Sequence, residues 1–413
     1  MSHPAPQVGV SEASPLGLTY VYRLVALFCL GWAVIYADRT ILYPMLSVIG
    51  AEFRLSGTEM GAITSAYFLL YTASQIASGM LGDRFGLKRV LVLFSLVAAL
   101  GISAIGSLVT SYWSLLIFVG LHGAGAGGYY PIAYSLALYN VPPSMRGLSS
   151  AIIGTGMSIG LVSGLALAGP LYHATEDWRF PFMILALPTF LATALYQWLV
   201  QDVRERRQKK PSVLAVLKDR DLLCLNAAGF CSLYGYWVTL IWGPTFFQTE
   251  RGLGLTASGA YTSLIAIAAI PASLTAGRLA DTVGRKRLTL LLFPLAAASI
   301  FALAHVRTRS SLIFFLLTYG LFGKLAWEPV AIAWVGDRVS ATRPEAMGTA
   351  LGVFSFASVL PAIAAPLFTG WIKDLTGSLV GGFYIGAAFA LCGFFFSLIP
   401  ADKYRREPEA VRQ

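Results

Sequence analysis

Apolar residues along the chain fall into twelve runs, each close to the roughly 20 residues that a helix needs to cross a bilayer. They lie near 20–46, 57–80, 89–108, 112–138, 147–172, 180–201, 222–248, 257–279, 288–305, 311–336, 346–372 and 378–400. The one long polar segment, QDVRERRQKKPSVLAVLKDRD at 201–221, divides them six and six. The pattern predicts an all-α integral membrane protein with twelve transmembrane helices in two six-helix bundles. The bundles span 20–201 and 222–400, with a tail at 1–19, a linker at 202–221 and a second tail at 401–413. The linker reads as a solvated segment with an interfacial helix on an anionic leaflet. The first and tenth runs carry internal charges; dropping either would break the alternation of loops.

Composition agrees. Of the 413 residues, 56% are hydrophobic and 12% charged, about half the charge of a soluble domain, and the mean hydropathy is +0.69. This excludes a soluble enzyme, a disordered chain and a nucleic-acid binder, although the net charge is +10. The basic residues instead set orientation. With the N-terminus inside, 22 of the 30 Lys and Arg fall in inner segments and six outside (Arg54, Arg179, Arg251, Arg307, Arg309, Lys373), while Arg39 and Lys324 lie within spans. Both termini are therefore expected in the cytoplasm of a multi-pass cell-membrane protein, and the short loops suggest a bacterial inner membrane. Cys29, Cys224, Cys231 and Cys392 lie in apolar runs with neither zinc nor disulfide spacing and read as small hydrophobes. No charged n-region precedes the first run, so no cleavable signal peptide is expected. Neither a catalytic triad nor a metal or nucleotide motif appears, so no enzyme activity and no cofactor is expected.

The halves echo each other. GMLGDRFGLKR at 79–89 follows the second run, and GRLADTVGRKR at 277–287 follows the eighth. Gly79 and Gly277 would allow close helix approach, and Gly86 and Gly284 a tight turn. Asp83, Arg84, Arg89, Asp281, Arg285 and Arg287 are candidates for a gate latch between bundles; the alternative is a loop that only fixes topology. Parallel repeats of this kind place a substrate site between the halves near the midplane.

Ionisable residues at mid-span are costly and are functional candidates by default. Asp38 and Arg39 in the first span are adjacent, so they cannot share a helix face. Either both make structural links, or Arg39 faces a central cavity and binds an anion while Asp38 takes a proton or orients neighbouring helices. Lys324 and Glu328 in the tenth are spaced i,i+4 and can pair; the alternative is a substrate that competes for Lys324 while Glu328 takes a proton. His122 in the fourth span is a proton-relay candidate or a satisfied core histidine. Gly123, Gly125, Gly127 and Gly128 thin that span for close packing. Tyr67, Tyr71 and Gln75 share one face of the second span. With Tyr130, Tyr234, Trp237 and Trp327 they are candidate substrate contacts, each weighed against plain helix packing.

The doubled loop at 79–89 and 277–287 resembles the signature of the major facilitator superfamily. The resemblance implies two pseudo-symmetric six-helix bundles, the major facilitator fold, and transport. Tyr36-x-Asp38-Arg39, the second span and WGPTFF at 242–247 are similar to the anion:cation symporter family. That resemblance implies proton-coupled symport of a small organic anion (a monocarboxylate, sugar acid or aromatic acid) with Arg39 as the anion-binding arginine and Asp38 as the proton-linked aspartate. The glutamate that many members carry in the fourth span is absent from His122-Gly123-Ala124, which leaves Glu328 or His122 to substitute. The expected partners are a small organic anion, a proton and the lipid bilayer, with no nucleic acid, and the expected working unit is a monomer. The competing reading is a proton-driven antiporter exporting amphipathic or cationic compounds, motivated by the aromatic stripes.

Overall fold

In a computed structural model, residues 17–142, 145–202, 216–343 and 346–402 are described. Most of the two tails and of the linker, with its expected interfacial helix, lie outside these residues. The described residues form helical rods that we number α1 to α12. These are α1 (Leu18–Thr40, continued by Leu42–Phe53), α2 (Gly57–Phe85), α3 (Leu87–Ser107), α4 (Tyr112–Gly127, continued by Tyr129–Asn140), α5 (Arg146–His173) and α6 (Arg179–Leu199). Then come α7 (Arg220–Trp237, a π-helical turn Val238–Trp242, and Gly243–Thr249), α8 (Leu255–Val283), α9 (Arg285–His305), α10 (Arg309–Phe322, continued by Lys324–Thr342), α11 (Met347–Thr376) and α12 (Val380–Ser397). Eleven are long and apolar enough to span a bilayer. The twelfth, α2, has the length but carries Thr58, Glu59, Thr64, Ser65, Thr72, Ser74 and Gln75, which lower its hydropathy.

Packing repeats between the halves. In the first, α1 packs on α5, α2 on α4 and α3 on α6; in the second, α7 packs on α11, α8 on α10 and α9 on α12. The halves meet where α2 packs on α11 and α5 on α8. Glycines set several of these distances. A Cβ at Gly156 would stand 2.1 Å from the Cys29 carbonyl and one at Gly160 2.2 Å from that of Ala33, so α5 lies backbone to backbone against α1. Gly123 and Gly127 do the same for α4 against Tyr67 and Tyr71 of α2.

The two ends of the molecule differ. At the end carrying the 54–56 and 377–379 turns, the halves are locked together. A Cβ at Gly61 would stand 2.3 Å from the Pro366 carbonyl, one at Gly370 2.1 Å from that of Gly57, and one at Gly259 2.2 Å from that of Leu165. Ser65 Oγ donates to the Ile363 carbonyl at 2.7 Å. Ser47 donates to the side-chain oxygen of Gln248, whose amide donates in turn to the Pro44 carbonyl at 3.1 Å. At the opposite end, Gly79, Gly277, Gly336, Gly348 and Gly352 face open space, with nothing within 4 Å of an added Cβ. The close helix approach expected at Gly79 and Gly277 is therefore not made, because the halves diverge there.

Both signature loops turn through a glycine in the left-handed region, Gly86 at φ 96° and Gly284 at φ 102°. Each is backed by an acid that follows the sixth rod of its half. Lys88 N donates to Asp202 at 3.0 Å and Lys286 N to Asp402 at 3.4 Å.

Candidate functional site

Four rods are interrupted at mid-length: α1 at Ile41, α4 at Gly128, α7 at the π-turn 238–242 and α10 at Gly323. A broken helix exposes backbone groups and redirects side chains, and π-turns gather at functional sites. The mid-span candidates flank these breaks: Asp38 and Arg39 before the first, Tyr130 just after the second, Trp237 just before the third, and Lys324 and Glu328 just after the fourth.

Asp38 and Arg39 point apart, as adjacent helix positions must. Asp38 is buried and faces α6, where Thr189 Oγ1 donates to its Oδ2 at 2.7 Å. Its Oδ1 has no partner among the described residues. Arg39, only 4% exposed, turns toward the other half. Its guanidinium carbon lies 4.0 Å from the centre of the Tyr36 ring, 5.2 Å from Phe68, 5.4 Å from Trp237 and 6.0 Å from Tyr67. Cation–π contacts of this kind hold a desolvated guanidinium. No carboxylate among the described residues pairs with it. The buried Arg39 Nε and Nη2, the Tyr43 and Tyr67 hydroxyls and the Trp237 Nε1 all lack a hydrogen-bond partner there.

From Trp237 the cluster continues to Tyr236, with rings 5.0 Å apart, and from Tyr236 to the Lys324 ammonium at 5.4 Å. Lys324 Nζ is paired with Glu328 Oε2 at 2.7 Å. Tyr71 stacks on Tyr67 at 5.8 Å, and Gln75 lies one turn further, half-buried. His122 also joins the edge of the cluster: its ring is 5.4 Å from Tyr67, its Nδ1 lies 3.0 Å from the Ala98 carbonyl, and its Nε2 has no partner among the described residues. Tyr130 packs beside Tyr134 and Trp32 and is 43% exposed.

Two expected contacts lie elsewhere. Tyr234 stacks on Phe389 of α12 at 4.2 Å. Trp327 donates to Thr289 of α9 at 3.1 Å and packs on Phe293. Both rings fill the interior of the second half. Conversely, Tyr36, named in the sequence only as part of the motif with Asp38 and Arg39, belongs to the cluster, as do Tyr43, Phe68 and Tyr236, which the sequence did not single out. Their only signal was position, one turn or one residue from a candidate.

Among the signature-loop residues, the ion pairs lie within one half. Arg285 bonds Asp337 of α10 and sits 3.2 Å from Asp281. Asp83 makes no ion pair among the described residues, Arg84 lies against its neighbour Phe85 at 5.1 Å, and Arg89 and Arg287 are exposed. No latch between the halves is formed at this end among the described residues.

A family model described as Major Facilitator Superfamily matches residues 28–366. The chain belongs to this superfamily. Among curated relatives, "Probable sulfoacetate transporter SauU" of Cupriavidus necator is 26% identical, covering 91% of this chain and 93% of the relative. The cis,cis-muconate transport protein of Acinetobacter baylyi is also 26% identical, covering 95% and 97%. A bacterial homologue of the human lysosomal transporter Spinster, solved in an inward-facing and occupied conformation, superposes with a TM-score of 0.76 at 16% identity, covering 93% and 96%; at that identity the likeness shows the fold alone. This major facilitator protein is a multi-pass, non-enzymatic solute transporter.

Proposed function

We propose that this transporter is a proton-coupled symporter of a small organic anion, working as a monomer by alternating access. The observation that carries the reading is the excess of donors around Arg39. A guanidinium and an indole can only donate hydrogen bonds. Leaving a buried donor unmet costs about 1–3 kcal/mol, and more when it is charged. A cluster that keeps several such donors near the junction of the halves is complementary to an anion. Relatives named for sulfoacetate and for cis,cis-muconate, both organic anions, support the same class.

Arg39 takes the anion, with Tyr67, Tyr71 and Trp237 around it and Gln75 and Tyr130 toward the open end. Asp38, one face away, receives the proton, and Thr189 holds its carboxyl. Lys324 and Glu328 form the counterpart on the second half; Glu328 takes a proton when the substrate draws Lys324 away, and His122 relays protons at the rim. The open end carries the basic loops, which the charge bias puts in the cytoplasm with both termini. The conformation described above is then the inward-facing one, and the Asp83 and Asp281 loops engage across the halves when that end closes. The tails, the linker and the two bundles keep the boundaries read from the sequence.

Uptake of radiolabelled acids into proteoliposomes under an imposed pH gradient tests this. The expected result is anion accumulation that follows the proton gradient, is abolished by a protonophore and is lost in Arg39→Ala and Lys324→Ala with folded protein present. Normal anion uptake by both variants would refute the site. Expulsion of lipophilic cations driven by an inward proton gradient, with no acid moved, would establish the antiporter reading instead.

A further inference from the structure

Asp38 and Arg39 leave α1 in different directions. Arg39 turns toward the other half, whereas Asp38 is 2% exposed and turns into the first half. Its Oδ1 is enclosed without a partner among the described residues, and its Oδ2 accepts from Thr189 Oγ1 at 2.7 Å. Tyr36 and Arg39 of α1, Tyr67 of α2, His122 and Tyr129 of α4 and Tyr196 of α6 are the titratable groups brought to this region. None is a carboxylate, and none is hydrogen-bonded to Asp38 among the described residues. The α3 and α5 rods carry theirs only in their end turns. The hydrogen-bonded approach to the Asp38 carboxylate therefore runs through Thr189.

Thr189 also borders a cavity inside the first half, walled by α1, α3, α4 and α6. The cavity offers about 10 Å³ to the centre of a water molecule, room for about one. Three of its wall residues carry hydroxyls, Ser95, Thr189 and Tyr196, and about three hydrogen bonds are what a buried water makes. Thr189 and Tyr196 are two turns apart on α6, so the cavity extends from the level of Asp38 toward the open end. Gly31 makes room there: an added Cβ would stand 1.9 Å from the Tyr196 hydroxyl and 2.3 Å from that of Tyr129. A threonine hydroxyl has one proton to donate and lone pairs left to accept. Thr189 can thus donate to Asp38 while it accepts from a donor in the cavity.

We propose that this cavity is a water site through which Asp38 exchanges its proton, with Thr189 as the relay, so that proton and anion use separate entrances. The proposal rests on the reading of Asp38 as a proton carrier. A proton arriving on the cavity water passes to Thr189 Oγ1 as the hydroxyl's own proton passes to Asp38 Oδ2. The water and the carboxyl are both left neutral. The new hydroxyl proton then turns to the Leu185 carbonyl, 2.9 Å away, and the hydroxyl oxygen accepts from the protonated carboxyl. Release is the reverse. Because α1 stands between the two side chains, Asp38 can discharge while Arg39 still holds its anion.

The test is rapid infrared detection of the Asp38 carboxyl after a pH jump, on the full-length protein in liposomes, with the proton as the only probe. The carbonyl band of the protonated acid that is lost in Asp38→Asn reports this residue. Thr189→Val, similar in shape but without the hydroxyl, should slow the band's appearance about tenfold, the worth of one hydrogen bond in the relay, and Thr189→Ser should restore the rate. Ala192→Val narrows the cavity and leaves the bond between Asp38 and Thr189 in place, so it should slow the exchange without moving the pH midpoint of the band. A threonine that only positions the carboxyl would move the midpoint and leave the rate. A wild-type rate in either valine variant overturns the proposal; should Thr189→Val fail to fold, Ala192→Val decides alone. If no titrating band is lost in Asp38→Asn, the proton-carrier reading falls and this proposal with it. If the band is lost and the valine variants exchange normally, only the route falls.

Discussion

Asp374 offers a direct perturbation of the closed end. The N-terminus of α2 leaves four backbone N–H groups without intrahelical partners, as every helix does. Two are met locally: Glu59 N donates to Ser56 Oγ at 3.2 Å, and Ser56 N donates to Glu59 Oε2 at 2.8 Å. The other two are met from the opposite half. Gly57 N and Thr58 N donate to the two oxygens of Asp374 on α11 at 2.5 and 2.8 Å, and Thr58 Oγ1 adds a third bond at 2.6 Å. Separating the halves here hands these groups to water. A capping bond contributes about 0.5–2 kcal/mol, and a carboxylate at an exposed helix N-terminus about 0.3–1 kcal/mol. Because Asp374 is itself exposed, about 1–2 kcal/mol in total is realistic, a factor of roughly 5–30 in the balance between the two conformations. Asp374→Ala should therefore speed hydrogen exchange by about that factor at the start of α8, around 255–263. That segment packs on Leu165 and Gly169 of α5 and does not touch Asp374, so it reports opening of the whole end. Faster exchange confined to residues 57 and 58 would refute the latch and leave Asp374 a local cap.

Three further outcomes follow from the same geometry. Gly61→Ala puts a methyl 2.3 Å from the Pro366 carbonyl and should destabilise this conformation by about 1–3 kcal/mol, seen as lower thermal stability and slowed uptake, whereas Gly348→Ala, which meets nothing, should be neutral. Glu328→Gln removes the acid that pairs with Lys324 and that is proposed to take a proton on the second half, so uptake driven by an imposed pH gradient should be lost in proteoliposomes; pH-driven uptake at the wild-type rate would refute that role. Gly86→Ala must hold φ 96° and set its methyl 2.5 Å from Asp202, which should cost about 1–3 kcal/mol and lower the melting temperature more than any exposed-loop substitution.

The rods were legible because a bilayer imposes a length and a composition that no other environment demands. Even α2, too polar to count as a span by hydropathy, was read as a run at 57–80; the alternation of loops was needed only for the first and tenth runs, which carry internal charges. The charges in α1 and α10 were legible for the complementary reason, since burying them is costly enough to mark them. Side-chain direction was not. Tyr234 and Trp237 are spaced i,i+3, yet one stacks on Phe389 and the other lies by Arg39, because positions three apart still differ by about 60° around a helix of 3.6 residues per turn. Asp202, Asp337, Asp374 and Asp402 were also missed, since each meets a partner far away in the chain. The breaks themselves show a periodicity that the sequence repeat conceals. The doubled loop relates residues about 200 apart and so reports a repeat of six rods. The interruptions fall in α1, α4, α7 and α10, a repeat of three. A rod that meets lipid must satisfy all its backbone groups internally, while one that borders a space water can enter is free to interrupt its hydrogen-bond ladder. A break in every third rod is what rods bordering such a space would show, and the candidate site draws Arg39, Tyr130, Trp237 and Lys324 from beside those breaks, with Tyr67, Phe68 and Tyr71 from the unbroken α2.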